Sequence, residues 1–163
     1  MSVTIFLGSD SDFEIIKEGL DIFKEFGVPF NLEVTSAHRT PDRTTKLIRE
    51  AEKSGTKVFL AVAGKAAHLP GVVASQTILP VIGVPVESQA LAGLDALLSM
   101  VQMPKGVPVA TVALGKAGGA NAALLAISIL ALSDGELKEK LVSYRQKMAE
   151  KVEESSRRLK EKL

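Results

Sequence analysis

A chain that carries only two histidines sets one of them, His38, in the run Ser36-Ala-His-Arg-Thr-Pro-Asp42, directly after the alternating stretch Phe30-Asn-Leu-Glu-Val34. Imidazole changes protonation near neutrality, so a histidine where a strand hands over to a helix is a candidate acid/base group. Arg39 beside it presents a rigid fork of N–H donors suited to phosphate or carboxylate. The helix start that follows and the neighbouring guanidinium should both disfavour imidazolium, so a neutral base at working pH is the expectation for this position. A second group, Gly8-Ser-Asp-Ser-Asp12, closes an apolar run and enters a helix. Backbone N–H groups there suit a phosphate, while the same residues serve equally well as a helix cap. The second histidine, His68, lies in Ala63-Gly-Lys-Ala-Ala-His-Leu-Pro-Gly71. Gly64, Ala66 and Ala67 leave room for a ligand close to the backbone, and the loop is apolar enough to line a dry pocket, with a simply packed histidine as the competing reading. Gly115-Lys-Ala-Gly-Gly119 is either a phosphate turn or only a tight connection. Two histidines without a carboxylate cluster make a poor metal site, and no metal is expected.

The elements that must hold these loops follow from hydrophobic periodicity. Residues 3–7 form a β-branched apolar run that stops at Gly8, and Ser11-Asp-Phe-Glu14 has the spacing of a capping box. Phe13, Ile16, Leu20 and Phe23 then recur at helical steps up to Gly27, the expected C-terminal stop. Strand and helix alternate again: a strand at residues 30–34, a helix opened by Thr40-Pro41 and ended by Gly55, and a strand at residues 58–63. The segment at residues 66–77 that follows is short and broken by Leu69-Pro-Gly71, so any helix there starts late; then come a strand at residues 81–86, a helix at residues 90–101, a strand at residues 108–114 and an alanine-rich helix at residues 119–132. Five strand–helix units with continuous apolar strands predict a parallel sheet covered on both faces, in the order 2-1-3-4-5. In that order the loops after strands one, two and three converge at the carboxyl edge beside the switch point, which is where His38, Arg39, the Ser/Asp cluster and His68 all lie.

At 163 residues and 46% hydrophobic content, the chain suits one domain with a full core. We expect residues 1–133 to form the α/β part. In residues 134–163, sixteen of thirty residues are charged, yet Leu137, Leu141, Tyr144, Met148, Val152 and Leu159 keep helical spacing. That segment is expected to be a long amphipathic helix in the same domain, packing on a neighbouring subunit because its apolar stripe outruns one domain. The absence of cysteine excludes disulfides, thiol nucleophiles and cysteine zinc sites. A net charge of +1 from well-mixed signs gives no field for nucleic acid. No apolar run is long enough for a membrane span, and the opening Met-Ser-Val-Thr-Ile-Phe-Leu reads as a strand, not a signal sequence, so a cytoplasmic protein is expected.

Five segments, Gly8-Ser-Asp-Ser-Asp12, Ser36-Ala-His-Arg-Thr-Pro-Asp42, Gly64-Lys-Ala-Ala-His-Leu-Pro-Gly71, Leu79-Pro-Val-Ile-Gly-Val-Pro85 and Gln102-Met-Pro-Lys-Gly-Val-Pro-Val-Ala110, together resemble the PurE family over residues 3–132. That family comprises the N5-carboxyaminoimidazole ribonucleotide mutases of purine biosynthesis. The resemblance implies a flavodoxin-like three-layer α/β fold, a homo-octamer, a small-molecule ribonucleotide substrate, and no cofactor, metal or ATP. It implies that Ser9, Ser36 and Arg39 hold the substrate phosphate and Asp12 the ribose. It further implies that Gly64, Ala66, His68 and Leu69 line the base pocket and that His38 is the general acid/base. The reaction implied moves a carboxylate from the exocyclic nitrogen of the imidazole to its ring carbon C4. The family pattern has a glycine where this chain has Lys65. If that position needs a positive φ, lysine there costs roughly 1 kcal/mol, and its ammonium either reaches the pocket or points to solvent. A sister group of carboxylases, which join CO2 directly to aminoimidazole ribonucleotide, differs in this loop. The run Ala66-Ala-His-Leu-Pro-Gly71 is of the mutase type and favours that reading. A non-catalytic nucleotide or flavin module on the same fold is the reading from another class.

Overall fold

The structure, a computed structural model, describes residues 2–162. Five strands, β1 (Ser2–Leu7), β2 (Phe30–Val34), β3 (Thr56–Gly64), β4 (Val81–Val86) and β5 (Ala110–Thr111), form one parallel sheet in the order β2-β1-β3-β4-β5. The predicted sheet is therefore the observed one. Residues Val3 to Leu7 and Val58 to Val62 are almost wholly buried, as strands covered on both faces must be.

Alternation along the strands divides the core. Phe6, Phe59, Ala61, Ala63 and Val81 join one cluster with Ile48 and Ala51 of α2 (Pro41–Lys53), Leu69 and Val73 of α3 (Leu69–Ala74), and Ala96 and Met100 of α4 (Leu94–Val101). Phe6 and Phe59 stack there with ring centroids 5.7 Å apart. On the other face lie α1 (Phe13–Phe26) and α5 (Lys116–Leu130), the latter seated on Val84 at Gly118. These two helices touch through glycine: a Cβ at Gly19 would come within 2.6 Å of the Gly119 carbonyl oxygen, and one at Gly119 would overlap the Ile15 carbonyl. Gly115-Lys-Ala-Gly-Gly119 thus supplies the left-handed Gly115 that starts α5 and the close approach to α1, and none of its residues lines the cleft described below.

Several boundaries differ from those expected. The cap that opens the first helical segment is Ser9 with Asp12, preceding a short 3₁₀ turn at Asp10–Asp12, and not Ser11 with Glu14. Helix α4 begins at Leu94, because Ala92 and Gly93 both take positive φ and a right-handed helix cannot run through them. Strand β5 shrinks to two residues at the sheet edge, paired only at Ile82 with Ala110 and Gly83 with Thr111. Helix α5 starts three residues early, since Gly118 and Gly119 are there for packing and not as a turn.

The chain divides into two compact units that meet at Ile127 and Ser128. The second contains the end of α5 and α6 (Gly135–Lys160). Asp134 caps α6, its Oδ1 accepting from the Leu137 N–H at 3.1 Å, and Lys140 pairs with Glu136 at 2.8 Å. Val142, Met148, Val152 and Leu159 are all exposed along α6.

Because the α1–α5 contact has no room for a methyl group, Gly119→Ala should lower the unfolding free energy by about 1–3 kcal/mol. The expected observation is a reduced urea midpoint with an unchanged m-value.

Candidate active site

The carboxyl ends of β1, β2, β3 and β4 open on one cleft of about 1180 Å³. Each loop is fixed by its own hydrogen bonds before any ligand is considered. After β1, the Ser9 N–H donates to Asp12 Oδ2 at 3.0 Å and Ser9 Oγ accepts from the Ser11 N–H at 3.4 Å, a reciprocal cap. Ser9 and Asp12 are therefore capping residues and cleft residues at once. Burial pushes the Asp12 carboxyl above the ordinary carboxylate range; the Ser9 N–H and the Ser11 hydroxyl pull the other way, and the charge of Asp10 adds a small upward push.

After β2, a chain of hydroxyls running from buried Thr35 and Thr44 to exposed Thr40 holds the turn that carries His38. Thr35 Oγ1 lies 2.8 Å from Thr44 Oγ1, Thr40 Oγ1 accepts from the Ser36 N–H at 3.0 Å, and Thr44 Oγ1 donates to the Thr40 carbonyl at 3.1 Å. Thr40, expected as the helix cap, thus closes the turn instead. Arg39 then ties two loops together. One guanidinium N–H donates to the Gly8 carbonyl at 3.2 Å, and Nε and the backbone N–H both donate to Ser36 Oγ, at 3.4 and 3.2 Å. A smaller recess of about 370 Å³ adjoins these groups and shares Gly8, Ser9, Ser36 and Arg39 with the main cleft.

After β3, Lys65 takes φ +56°, the left-handed conformation that the sequence made a condition. The chain then turns tightly, with the Ala67 N–H bonded to the Lys65 carbonyl and the His68 N–H to the Ala66 carbonyl, both at 2.8 Å. This turn delivers His68 to His38: Nε2 of His38 lies 2.8 Å from Nδ1 of His68. Gly64, Lys65, Ala66 and Leu69 line the same cleft, and Lys65 makes no ion pair among the described residues.

All nine residues singled out from the sequence, Ser9, Asp12, Ser36, His38, Arg39, Gly64, Ala66, His68 and Leu69, therefore line one cavity. The sequence reading missed the loop after β4 and the first turn of α4, which contribute Glu87, Ser88, Gln89, Ala90 and Asp95. Ser88 Oγ donates to both Asp95 carboxylate oxygens, at 3.2 and 3.3 Å, and so fixes that acid at the cleft wall. The signal for it was the strand order itself, since β4 lies beside β3 and its carboxyl end opens on the same edge. The described residues contain no group of three metal-ligating side chains.

A cleft with proton-transfer groups, a guanidinium and serine hydroxyls suits acid/base chemistry on a small anionic molecule. Comparison with known proteins points the same way. A family model described as AIR carboxylase matches residues 2–151. The N5-carboxyaminoimidazole ribonucleotide mutase of Pyrococcus horikoshii is 55% identical over 159 residues, covering 98% of this chain and 89% of that protein. The proteins of the same name from Escherichia coli and Bacillus subtilis are 50% and 53% identical, covering 94% and 96% of this chain and 90% and 97% of their own. The crystal structure of Treponema denticola PurE superposes with a TM-score of 0.88 at 31% identity, covering 96% of this chain and 97% of that one.

Two stability measurements check the local physics. Lys65→Gly relieves the left-handed strain and should raise the unfolding free energy by roughly 0.5–1 kcal/mol, after allowance for the freer unfolded chain. Asp12→Asn should also stabilise at neutral pH. A carboxyl whose folded titration is raised contributes stability when protonated and loses it as pH rises through that titration, so the ionised group is a net cost at pH 7. The advantage of the amide should fade on acidification, as the carboxyl becomes protonated in both folded and unfolded chains.

Proposed function

This chain belongs to the AIR carboxylase family, and from that premise we propose how its cleft carries out the reaction. The protein is an N5-carboxyaminoimidazole ribonucleotide mutase of purine biosynthesis, interconverting the N-carboxylated and the 4-carboxylated aminoimidazole ribonucleotides. The observation that carries the assignment of the site is the meeting of His38, Arg39 and the Ser9 and Ser36 hydroxyls in one cavity, although they come from two separate loops.

In this reading Arg39, Ser36 and Ser9 grip the phosphate, with the guanidinium supplying the charge that a net charge of +1 cannot supply from a distance. Asp12 accepts from ribose hydroxyls. Gly64, Ala66, His68 and Leu69 form the wall against the imidazole base. Imidazolium His38 protonates the carboxylated exocyclic nitrogen; the bond from nitrogen to carboxylate breaks, its electron pair goes to nitrogen, and CO2 is released into the cleft. Ring carbon C4 then attacks that CO2, and neutral His38 removes the C4 proton, which restores the aromatic ring and the imidazolium together. The proton count closes, so one histidine serves both steps and no outside base is consumed. Small apolar walls at Ala63, Ala66 and Leu69 favour retention of CO2 over its escape.

The working form in this reading is a cytoplasmic homo-octamer. Exposed Val142, Met148, Val152 and Leu159 on α6 and exposed Leu91, Leu94, Leu98 and Val101 at α4 support burial against other copies.

The deciding experiment mixes the protein with 4-carboxyaminoimidazole ribonucleotide in CO2-depleted buffer and follows the products by carbon-13 NMR. The N-carboxylated isomer is the expected product; aminoimidazole ribonucleotide and CO2 alone would mean a carboxylase. His38→Asn should leave the substrate dissociation constant near that of wild type while lowering kcat by about 10²–10⁴-fold, and near-normal turnover would remove His38 from the chemistry.

A further inference from the structure

The two imidazoles are 30 positions apart in the chain, yet they meet edge-on, with centroids 4.9 Å apart, planes at 72° and a 2.8 Å bond from Nε2 of His38 to Nδ1 of His68. A bond of this length needs one proton and one lone pair between the two nitrogens. With protons on all four ring nitrogens, two N–H groups would face each other and the bond would be lost. The bonded pair therefore carries at most three protons and one positive charge. Nδ1 of His38 and Nε2 of His68 bond to no other described residue, so they are the nitrogens left for a ligand. The charged groups that share the cleft, Arg39, Lys65, Asp12, Glu87 and Asp95, hydrogen-bond to neither ring, and Arg39 is committed to Gly8 and Ser36.

We propose that His68 is a positioning residue that assigns the proton transfers to a single nitrogen of His38, Nδ1, by accepting a hydrogen bond from Nε2. The inference rests on the mutase reading. In that reaction His38 must begin as imidazolium, protonated on both nitrogens, and only a lone pair on His68 Nδ1 can then satisfy the Nε2–H. When His38 gives its Nδ1 proton to the exocyclic nitrogen of the substrate, the Nε2–H bond to His68 stays as it was. The lone pair left on Nδ1 is the one that later takes the proton from C4. If Nε2 were the reacting atom, the bond to His68 would have to break and re-form at each step. Without His68, neutral His38 would divide between two tautomers, and the one with its proton on Nδ1 presents no base to C4. His68 thus touches the wall of the pocket and also fixes the tautomer of its neighbour, as groups behind a catalytic or metal-bound histidine commonly do.

Nitrogen-15 NMR of histidine-labelled protein, together with steady-state kinetics, tests this. In the neutral wild-type protein, His38 should show a protonated Nε2 and a lone pair on Nδ1. His68→Ala should convert this to a tautomer mixture and lower kcat by about 10- to 100-fold; KM should rise as well, because the same side chain belongs to the wall against the base, so the tautomer and its rescue by His68→Asn are the readouts that a wall role alone would not move. In His68→Asn, the amide oxygen stands near the position of Nδ1, so this variant should recover the wild-type tautomer and most of the lost kcat. An unchanged His38 tautomer and kcat in His68→Ala would overturn the proposal, as would an Asn variant no better than Ala. A wild-type protein that does not interconvert the two ribonucleotides would overturn the mutase reading itself, while the tautomer measurement would still decide whether His68 sets the proton on His38.

Discussion

Two strands, β1 and β3, are buried on both faces, and the parallel ladder between them is the constraint on which the rest of the molecule depends. Val3 to Leu7 pair residue by residue with Val58 to Val62, so the carboxyl ends of both strands reach the same level at Gly8 and Ala63. Placing β2 on the outer side of β1 brings Thr35 to that level too, with its N–H bonded to the Leu7 carbonyl at 2.9 Å. Three loops are thereby forced to one edge, with spacing set by the strand separation of a hydrogen-bonded sheet. The register cannot slip by one residue without turning the buried Phe6, Phe59 and Ala61 face to the opposite side, so the hydrophobic pattern that builds the core also fixes the geometry of the cleft.

Within that frame, the loops are held by short polar networks as well as by the packing of Ala37, Ala67 and Leu69 on the core. Thr35, Thr40 and Thr44 close the turn under His38, and Ser9 and Asp12 close the turn after β1. Arg39 is the bridge between them. Such networks keep a site rigid without filling it, which leaves the cleft open to a ligand. They also come with costs to stability: a carboxyl at Asp12 that burial makes reluctant to ionise, and a lysine held in a left-handed conformation at position 65. Both costs fall on residues that line the cleft, the expected place for departures from the best folding choice.

The chemistry inferred for the cleft asks one imidazole to give a proton and take it back. In the proposed mechanism that demand is met by holding the ring so that the same nitrogen faces the reacting atoms throughout, and the 2.8 Å contact between His38 and His68 is the observation from which that role is inferred. The two histidines cannot be understood separately, because the hydrogen bond couples the protons that each may carry.

The sequence by itself determined the five strands, the sheet order, the helix stop at Gly27 and the residues of three converging loops, because apolar periodicity and turn residues act over short stretches of chain. It also carried a family resemblance that named the nine residues now found around one cavity. What it could not contain was the atomic contact between side chains or backbone of two distant segments. The glycines at 118 and 119 read as a turn until α1 was seen to lie against them, and the strand predicted at residues 108–114 lost most of its length at an edge with a single neighbour to pair with. The helix predicted from residue 90 started late because of the left-handed turn at Ala92 and Gly93, and the chain there adds Glu87 and Asp95 to the cleft. Above all, the 2.8 Å bond between His38 and His68 exists only because β1 separates β2 from β3 by a single strand. Tertiary structure decided that contact, since a hydrogen bond requires positions accurate to a few tenths of an ångström and only the assembled sheet supplies them.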